Sequence, residues 1–278
     1  MSQDSTFRAA LVQLCSGREI EPNMAAVCGW IREAAGAGAR YIQTPENTLL
    51  MESNSDRLFE RVREEADTPE IAQFAALAEE LGVWLHIGSI FIKAGERKAA
   101  NRSYIFAPTG RVVARYDKIH LFDVELPGGE SHRETETMTP GSEAVAVALP
   151  WGLLGLSICY DLRFPEQYKA LAKAGARMLA VPAAFTEQTG RAHWHVLLRA
   201  RAIETGSFVL AAAQGGVHEA GRHTFGHSLI LSPWGEVLAE AGAEPGVITA
   251  DIDLAEAIAA RHRIPALKHE RPFNITTV

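Results

Sequence analysis

The sequence predicts an α/β protein, a four-layer α-β-β-α sandwich with two pseudo-symmetric halves, on three observations. Segments with helical and strand-like patterning alternate along the 278 residues, as expected of sheets covered by helices. The stretch Gly38-Ala-Arg-Tyr-Ile-Gln-Thr-Pro45 resembles Gly175-Ala-Arg-Met-Leu-Ala-Val-Pro182, each reading as a helix end, a short strand and a proline. Likewise Ile105-Phe-Ala-Pro-Thr-Gly110-Arg-Val-Val-Ala114 resembles Ile230-Leu-Ser-Pro-Trp-Gly235-Glu-Val-Leu-Ala239, and both pairs keep their order along the chain. Two such halves, each a sheet with helices on one side, pack sheet to sheet. No linker interrupts the chain, so residues 1–278 are expected to form one domain.

In chain order, residues 8–15 read as a buried strand and 23–37 as a helix with Met24, Val27, Ile31 and Ala34 on one face. Cys15 and Cys28 fall on these apolar surfaces and are expected in the core. Residues 41–44 form a strand stopped by Pro45, with Glu46 next. Thr68 caps a helix over 69–81 that Pro69 opens and Gly82 ends. Residues 83–93 and 101–107 alternate as strands, and Pro108-Thr-Gly110 turns into a strand over 111–115, after which comes Lys118. A polar stretch, 127–142, reads as a long loop within the domain. Strands follow near 145–149 and over 153–158, then a helix over 165–174 and a strand over 177–181 stopped by Pro182. A helix over 193–204, strands over 208–213, 225–231, 236–239 and 247–252, and a helix over 254–261 lead to an irregular tail.

Composition narrows the function. A hydrophobic content of 47% supports a sizeable core. The formal net charge of -7, without a Lys/Arg cluster, argues against a nucleic-acid footprint and leaves small molecules or protein as partners. Nothing approaches the ~18 apolar residues of a membrane span. The first residues lack the pattern of a leader, and three widely spaced cysteines make a disulfide framework improbable. A cytoplasmic location is expected.

The reactive candidates sit at strand ends. Residues 153–158 run into Cys159-Tyr160-Asp161-Leu-Arg163-Phe-Pro165, so Cys159 occupies a strand-to-helix corner. Such a corner can present a nucleophile's sulfur while the backbone N–H groups beyond it face the same space. A buried structural cysteine is the competing reading of a lone Cys. Glu46 and Lys118 occupy comparable places, and strand ends of stacked sheets can converge on one pocket. A thiol is only a few per cent ionised at neutral pH and needs a base. Glu46 can serve as that base, later protonating a leaving amine, and a shielded site is expected to raise its pKa. Lys118 and the Tyr160 N–H can hold the oxyanion.

These residues lie in strings that resemble a known family. Pro45-Glu46-Asn47, Tyr116-Asp117-Lys118-Ile119-His120-Leu121 and Ser157-Ile-Cys159-Tyr160-Asp161-Leu-Arg163-Phe-Pro165-Glu166 are similar to the three motifs of the nitrilase superfamily of carbon-nitrogen hydrolases. The resemblance implies a Glu46, Lys118 and Cys159 triad, a thioester intermediate, no cofactor and no metal. It also implies a second glutamate in the loop after the lysine, matched by Glu134, with Tyr160, Arg163, Phe185 and Thr186 around the substrate. The strings 122–129, 182–194 and 199–204 resemble the small amidase branch, which hydrolyses side-chain amides of 2-oxo acid compounds. That implies conversion of a small linear amide, rather than a peptide bond, to carboxylate and ammonia. Deaminated glutathione is the implied substrate. Alternatives are omega-amidase action on 2-oxoglutaramate or 2-oxosuccinamate and hydrolysis of N-carbamoyl amino acids. A homodimer or higher homo-oligomer is also implied. The loop Gly128-Gly-Glu-Ser-His-Arg133 matches no single substrate.

Other readings remain to be weighed. A Cys-His hydrolase would pair Cys159 with His120, His193 or His195. A metal hydrolase would draw on His218, His223 and His227, but His218-Glu219-Ala-Gly221-Arg-His223 is one residue too long for the helical zinc motif. An N-acyltransferase would pass the thioester to an amine. A catalytically silent scaffold would be signalled by loss of Glu46, Lys118 or Cys159, and all three are present.

Overall fold

The structure, a computed structural model, describes residues 5–126, 129 and 131–278. The first half runs through β1 (Thr6–Gln13), α1 (Ile20–Gly36), β2 (Tyr41–Gln43), α2 (Ser55–Arg61), α3 (Pro69–Leu81), β3 (Trp84–Gly95), β4 (Lys98–Phe106) and β5 (Val112–Asp117). A connecting segment carries the short pair β6 (Asp123–Glu125) and β7 (Ser131–Arg133). The second half runs through β8 (Ala146–Leu149), β9 (Gly152–Leu156), α4 (Pro165–Lys173), β10 (Met178–Ala180), α5 (Glu187–Thr205), β11 (Phe208–Ala211), the hairpin β12 (Gly215–Val217) and β13 (His223–Phe225), β14 (Leu229–Leu231) and β15 (Val237–Glu240). The chain closes with β16 (Gly246–Asp253), α6 (Leu254–Arg263) and α7 (Ala266–His269).

Two six-stranded sheets result, ordered β16-β1-β2-β3-β4-β5 and β8-β9-β10-β11-β14-β15. Across either sheet the pairings read antiparallel, parallel, parallel, antiparallel, antiparallel. The two halves therefore repeat one topology, and the sequence echoes fall on matching elements: β2 with β10, and the β4–β5 turn with the β14–β15 turn. Burial follows the period-2 alternation of a strand. In β1, Ala10 and Val12 pack with Met24, Val27 and Ile31 of α1 and Phe74 of α3, while Ala9 and Leu11 join the cluster of the second sheet with Trp194 and Leu198 of α5. Helices cover the outer faces, and the sheets pack on each other: the expected four layers.

Several local expectations needed correction. The helix expected from 193 begins at Glu187, because the Thr186 side chain accepts the Thr189 N–H and caps it. The strand expected over 225–231 is broken between β13 and β14, where Gly226 and His227 adopt φ of +68° and +56°. α2, capped by the Asn54 side chain, and the β12 strand were not anticipated. Cys15 is exposed rather than in the core, since β1 ends at Gln13 and the chain there is already leaving the sheet; Cys28 is half-buried. The loop over 127–142 carries β7 and a 3-10 turn, Glu134–Glu136; its Pro127, Gly128 and Glu130 lie outside the described residues.

Candidate active site

Glu46 follows β2 in a turn braced from both sheets. Thr48 Oγ1 donates to Pro45 O at 2.7 Å, and the Asn47 N–H donates to Ser89 Oγ at 2.9 Å. From the second half, Gln214 Nε2 reaches Glu46 O at 3.0 Å and Asn47 O at 3.1 Å. Asn47 carries φ of +57°, a left-handed conformation that such bracing sustains. Gly88 is required at this junction, because a Cβ there would lie 2.2 Å from Thr44 O and 2.5 Å from the Pro182 side chain.

Lys118 follows β5, its N–H bonded to Asn101 O at 3.0 Å. Its ammonium donates to Glu46 Oε1 at 2.9 Å and to both oxygens of Glu134, at 3.0 and 2.9 Å. Asn101 Nδ2 also donates to Glu46 Oε1, and the Ala184 N–H donates to Glu46 Oε2, each at 2.9 Å. Glu134 is fixed in turn by the Phe122 N–H at 2.6 Å.

Cys159 opens the 3-10 turn Cys159–Arg163 with φ of +49°, and its N–H donates to Pro182 O at 2.9 Å. A non-glycine residue held there is strained, and such strain concentrates at functional sites. The turn is organised by the fully buried Asp161. Its carboxylate accepts from the Ile158 N–H at 2.8 Å, Tyr116 Oη at 2.6 Å and the His120 N–H at 3.0 Å. One buried carboxylate thus ties the cysteine turn to the lysine-bearing segment.

The charges are mutually adjusted. Burial alone would raise the Glu46 carboxyl, but the Lys118 ammonium, hydrogen bonds from Cys159 and Lys118, and the charge of Arg222 outweigh it and lower the pKa. This reverses the expected raised pKa: shielding is real, but a cation is buried with the acid. Burial would lower the Lys118 ammonium, yet Glu134, Glu46 and Cys159 raise it, so it stays protonated. Burial and the Glu46 carboxylate push the Cys159 thiol well up, despite opposing effects of Lys118 and the Ala184 backbone. The resting arrangement is a protonated thiol beside an ionised carboxylate, the state from which a base can draw the proton during attack.

These groups open onto a cavity of about 480 Å³, within the usual size range for small-molecule sites. Every site residue expected from the sequence lines it: Glu46, Lys118, Cys159, Glu134, Tyr160, Arg163, Phe185 and Thr186. Tyr160 packs edge-on against Phe122, ring centres 5.0 Å apart, and Phe185 against Trp194 at the same separation. Thr186 is also the cap of α5. The histidines of the alternative readings are engaged elsewhere. His120 meets Asp161 at 2.7 Å, His193 meets Arg163 at 3.3 Å and His195 meets Glu240 at 2.8 Å. His218 bonds Ser16 O at 2.9 Å and Thr224 Oγ1 at 2.7 Å.

Residues 8–262 match the Carbon-nitrogen hydrolase family. The chain belongs to that family. The enzyme is a hydrolase of amides, and its substrate is a small-molecule amide. It is 40% identical over 267 residues to a protein named deaminated glutathione amidase from Synechocystis sp. (strain PCC 6803 / GT-S), covering 95% of this chain and 97% of the relative. It is 34% identical over 267 residues to omega-amidase NIT2 of Homo sapiens, covering 96% of each. Its fold matches the crystal structure of the C. elegans NitFhit protein with a TM-score of 0.90 at 36% identity, covering 96% of this chain and 65% of that one. Among the described residues of this hydrolase no helix is long and apolar enough to cross a membrane.

Sequence reasoning missed four residues here: Asn101, Arg222, the clamp Gln214 and the organiser Asp161. Asp161 lies within the cysteine motif, so its position was signalled. Gln214 lies in the run Ala211-Ala-Ala-Gln214-Gly215, which resembles the amidase branch but does not reveal the clamp; Asn101 and Arg222 carry no local pattern, because each reaches the site from a distant segment.

Proposed function

We propose that this enzyme is a deaminated glutathione amidase with Cys159 as nucleophile, Glu46 as general base and acid, and Lys118 with the Tyr160 N–H as oxyanion partners. The observation that carries the reading is the buried Glu46 carboxylate, shared between the Lys118 ammonium and the Cys159 thiol.

The steps follow from that placement. Glu46 takes the thiol proton as sulfur adds to the amide carbon, and the carbonyl π pair moves onto oxygen. In the resting state, the Lys118 N–H groups are directed at Glu46 and Glu134. When Glu46 becomes neutral its hold on one of them weakens, and that donor can turn to the oxyanion. Tyr160 is second in its 3-10 turn, where an N–H has no partner within the turn. Glu46 then protonates the departing nitrogen, the C–N bond breaks and a thioester remains. Water repeats the sequence: Glu46 takes its proton, the hydroxide adds, and the thiolate leaves and is reprotonated. The amine released is ammonia from a primary amide. From deaminated glutathione it is the dipeptide amine joined to the oxo acid. Glu134 anchors Lys118 throughout.

The similarity to omega-amidase NIT2 favours one alternative, a primary amide of a 2-oxo dicarboxylic acid as substrate. Carboxylate formation compared across deaminated glutathione, 2-oxoglutaramate and an N-carbamoyl amino acid distinguishes them. The highest kcat/KM is expected on deaminated glutathione, and no hydrolysis of any of the three would overturn the reading. We further read the chain as one catalytic domain, supported by the return of β16 to pair with β1, and as a cytoplasmic homo-oligomer. Exposed Val196, Ile203 and Trp234 offer apolar surface for self-association. Sedimentation at the 30.2 kDa monomer mass alone would remove the oligomer.

A further inference from the structure

The two carboxylate oxygens of Glu46 have unequal partners. Oε1 accepts both the Lys118 ammonium and Asn101 Nδ2, each at 2.9 Å, whereas Oε2 accepts the Ala184 N–H at 2.9 Å. The second oxygen lies on the sulfur's side. The Cys159 N–H is held by Pro182 O at 2.9 Å, two residues before Ala184, and the Ala184 backbone acts on the thiol as well as on Glu46. The proposed base thus turns one oxygen to the lysine strand and the other to the cysteine turn.

Of the two donors on Oε1, Asn101 is the neutral one and the one fixed in a strand. It is 1% exposed in β4, and its carbonyl accepts the Lys118 N–H at 3.0 Å. Its amide nitrogen faces Glu46, since the opposite orientation would set Oδ1 against the carboxylate, acceptor against acceptor. In that orientation Oδ1 is buried with no hydrogen-bond partner among the described residues. A buried unpaired oxygen is costly, so its retention points to the contact with Glu46 as what orients this side chain. A leucine of similar size would fill the same place without an orphaned oxygen.

The reaction gives this fixed donor a task. Lys118 loosens from Oε1 as its N–H turns to the oxyanion, and at that moment Glu46 carries the thiol's proton. An amide N–H can only donate, so the oxygen it faces must remain an acceptor. We propose that Asn101 is a positioning residue for the base: it holds Oε1 as an acceptor while Lys118 moves, and so directs the proton to Oε2. This rests on the amidase reading above, with Glu46 as base and acid. The S–H bond breaks as the Oε2–H bond forms, and that bond breaks in turn as the departing nitrogen gains its proton, which regenerates the carboxylate with Asn101 still in contact. The other groups facing Glu46 are the Lys118 ammonium, the Cys159 thiol and the charge of Arg222, with Glu134 beyond Lys118.

Two substitutions of similar size separate this role from support of the sheet. Asn101→Leu removes the donor together with the orphaned oxygen. On deaminated glutathione its kcat should fall about 10- to 100-fold, the effect of losing a hydrogen bond to a charged group, with KM within about threefold. Asn101→Asp sets a second carboxylate against Glu46, and two carboxylates sharing a site disfavour the ionised base. Because the base must be ionised to act, the acid limb of kcat/KM should move to higher pH. The same limb should move in the rate of Cys159 alkylation by chloroacetamide, which requires no hydrolysis. A role in the sheet alone would instead lower Tm and leave both limbs in place. Unchanged kcat in Asn101→Leu, or unmoved limbs in Asn101→Asp, would overturn the proposal. A moved alkylation limb in an enzyme that hydrolyses no amide would remove the amidase reading and leave Asn101 as the residue that positions Glu46. Full hydrolysis by Glu46→Gln would remove the base, and the proposal with it.

Discussion

Two buried polar clusters lie on the same strands of the first sheet, and they differ in charge and in access. In mid-sheet, Tyr41 Oη meets His86 Nδ1 at 2.8 Å, His86 Nε2 meets Ser103 Oγ at 2.7 Å, and Gln43 crosses to Leu210 O of the other sheet at 3.1 Å. Burial pushes the His86 pKa down to about 3, so this cluster is neutral and sealed between the sheets. A few residues along, beyond the ends of β2 and β5 and on β4, stand Glu46, Lys118 and Asn101, charged and open to a cavity. Ser103 belongs to one cluster and Asn101, two positions earlier on β4, to the other. The sandwich thus tolerates polar groups between its sheets when they are neutral and paired. Net charge is held where the strands end.

The charged cluster is therefore expected to govern both rate and stability, and the neutral one stability alone. Lys118→Met should be the most damaging change, because Glu46 and Glu134 would be left buried without their cation. Urea unfolding should show a loss of about 3–5 kcal/mol, together with loss of hydrolysis. Glu46→Gln keeps the volume and removes the proposed base, and kcat should fall about 10³-fold with little change in Tm. Asp161→Asn weakens four hydrogen bonds that the carboxylate accepts, from the Ile158 N–H, Tyr116 Oη, the His120 N–H and His120 Nδ1. It should cost about 1–3 kcal/mol and lower kcat more than it alters KM, since it acts through the placement of Cys159.

The smallest effects belong to the neutral cluster. His86→Gln should cost about 1–3 kcal/mol of stability while kcat/KM stays within about twofold. A pH dependence sharpens the contrast. The folded pKa of His86 is depressed, so its stabilising contribution is complete above the ordinary value of about 6.5 and is lost as pH falls towards 3. Between pH 7 and pH 5, unfolding of the unmodified enzyme should lose about 2 kcal/mol from this group, and His86→Gln should lose that much less. The Glu46 carboxyl has the same sign but acts lower, below the usual ~4.3 of a glutamate. A larger stability loss from His86→Gln at pH 5 than at pH 7 would break the contrast.

Much of this was legible in the sequence where information is local. The strand-stopping prolines at 45 and 182 and the turn echoes mark repeated elements, so the two-half sandwich could be read from them. Glu46, Lys118 and Cys159 sit in recognisable strings at strand ends. Asn101 and Arg222 could not be read, since one is an ordinary strand residue and the other lies in a polar hairpin. Both acquire meaning only when distant segments meet. Cys15 was misplaced for a related reason: apolar neighbours suggest the core, but burial depends on where the strand stops.

In the proposed mechanism, Glu46 makes the buried Cys159 reactive. Exposure alone favours Cys15, since Cys159 is only 7% exposed. Timed alkylation with chloroacetamide, followed by peptide mapping, sets the two thiols against each other in one molecule. Cys159 is expected to be labelled first, with activity falling in step with its labelling, and Glu46→Gln is expected to abolish its lead. Labelling of Cys15 ahead of Cys159, or full activity with Cys159 alkylated, would contradict it.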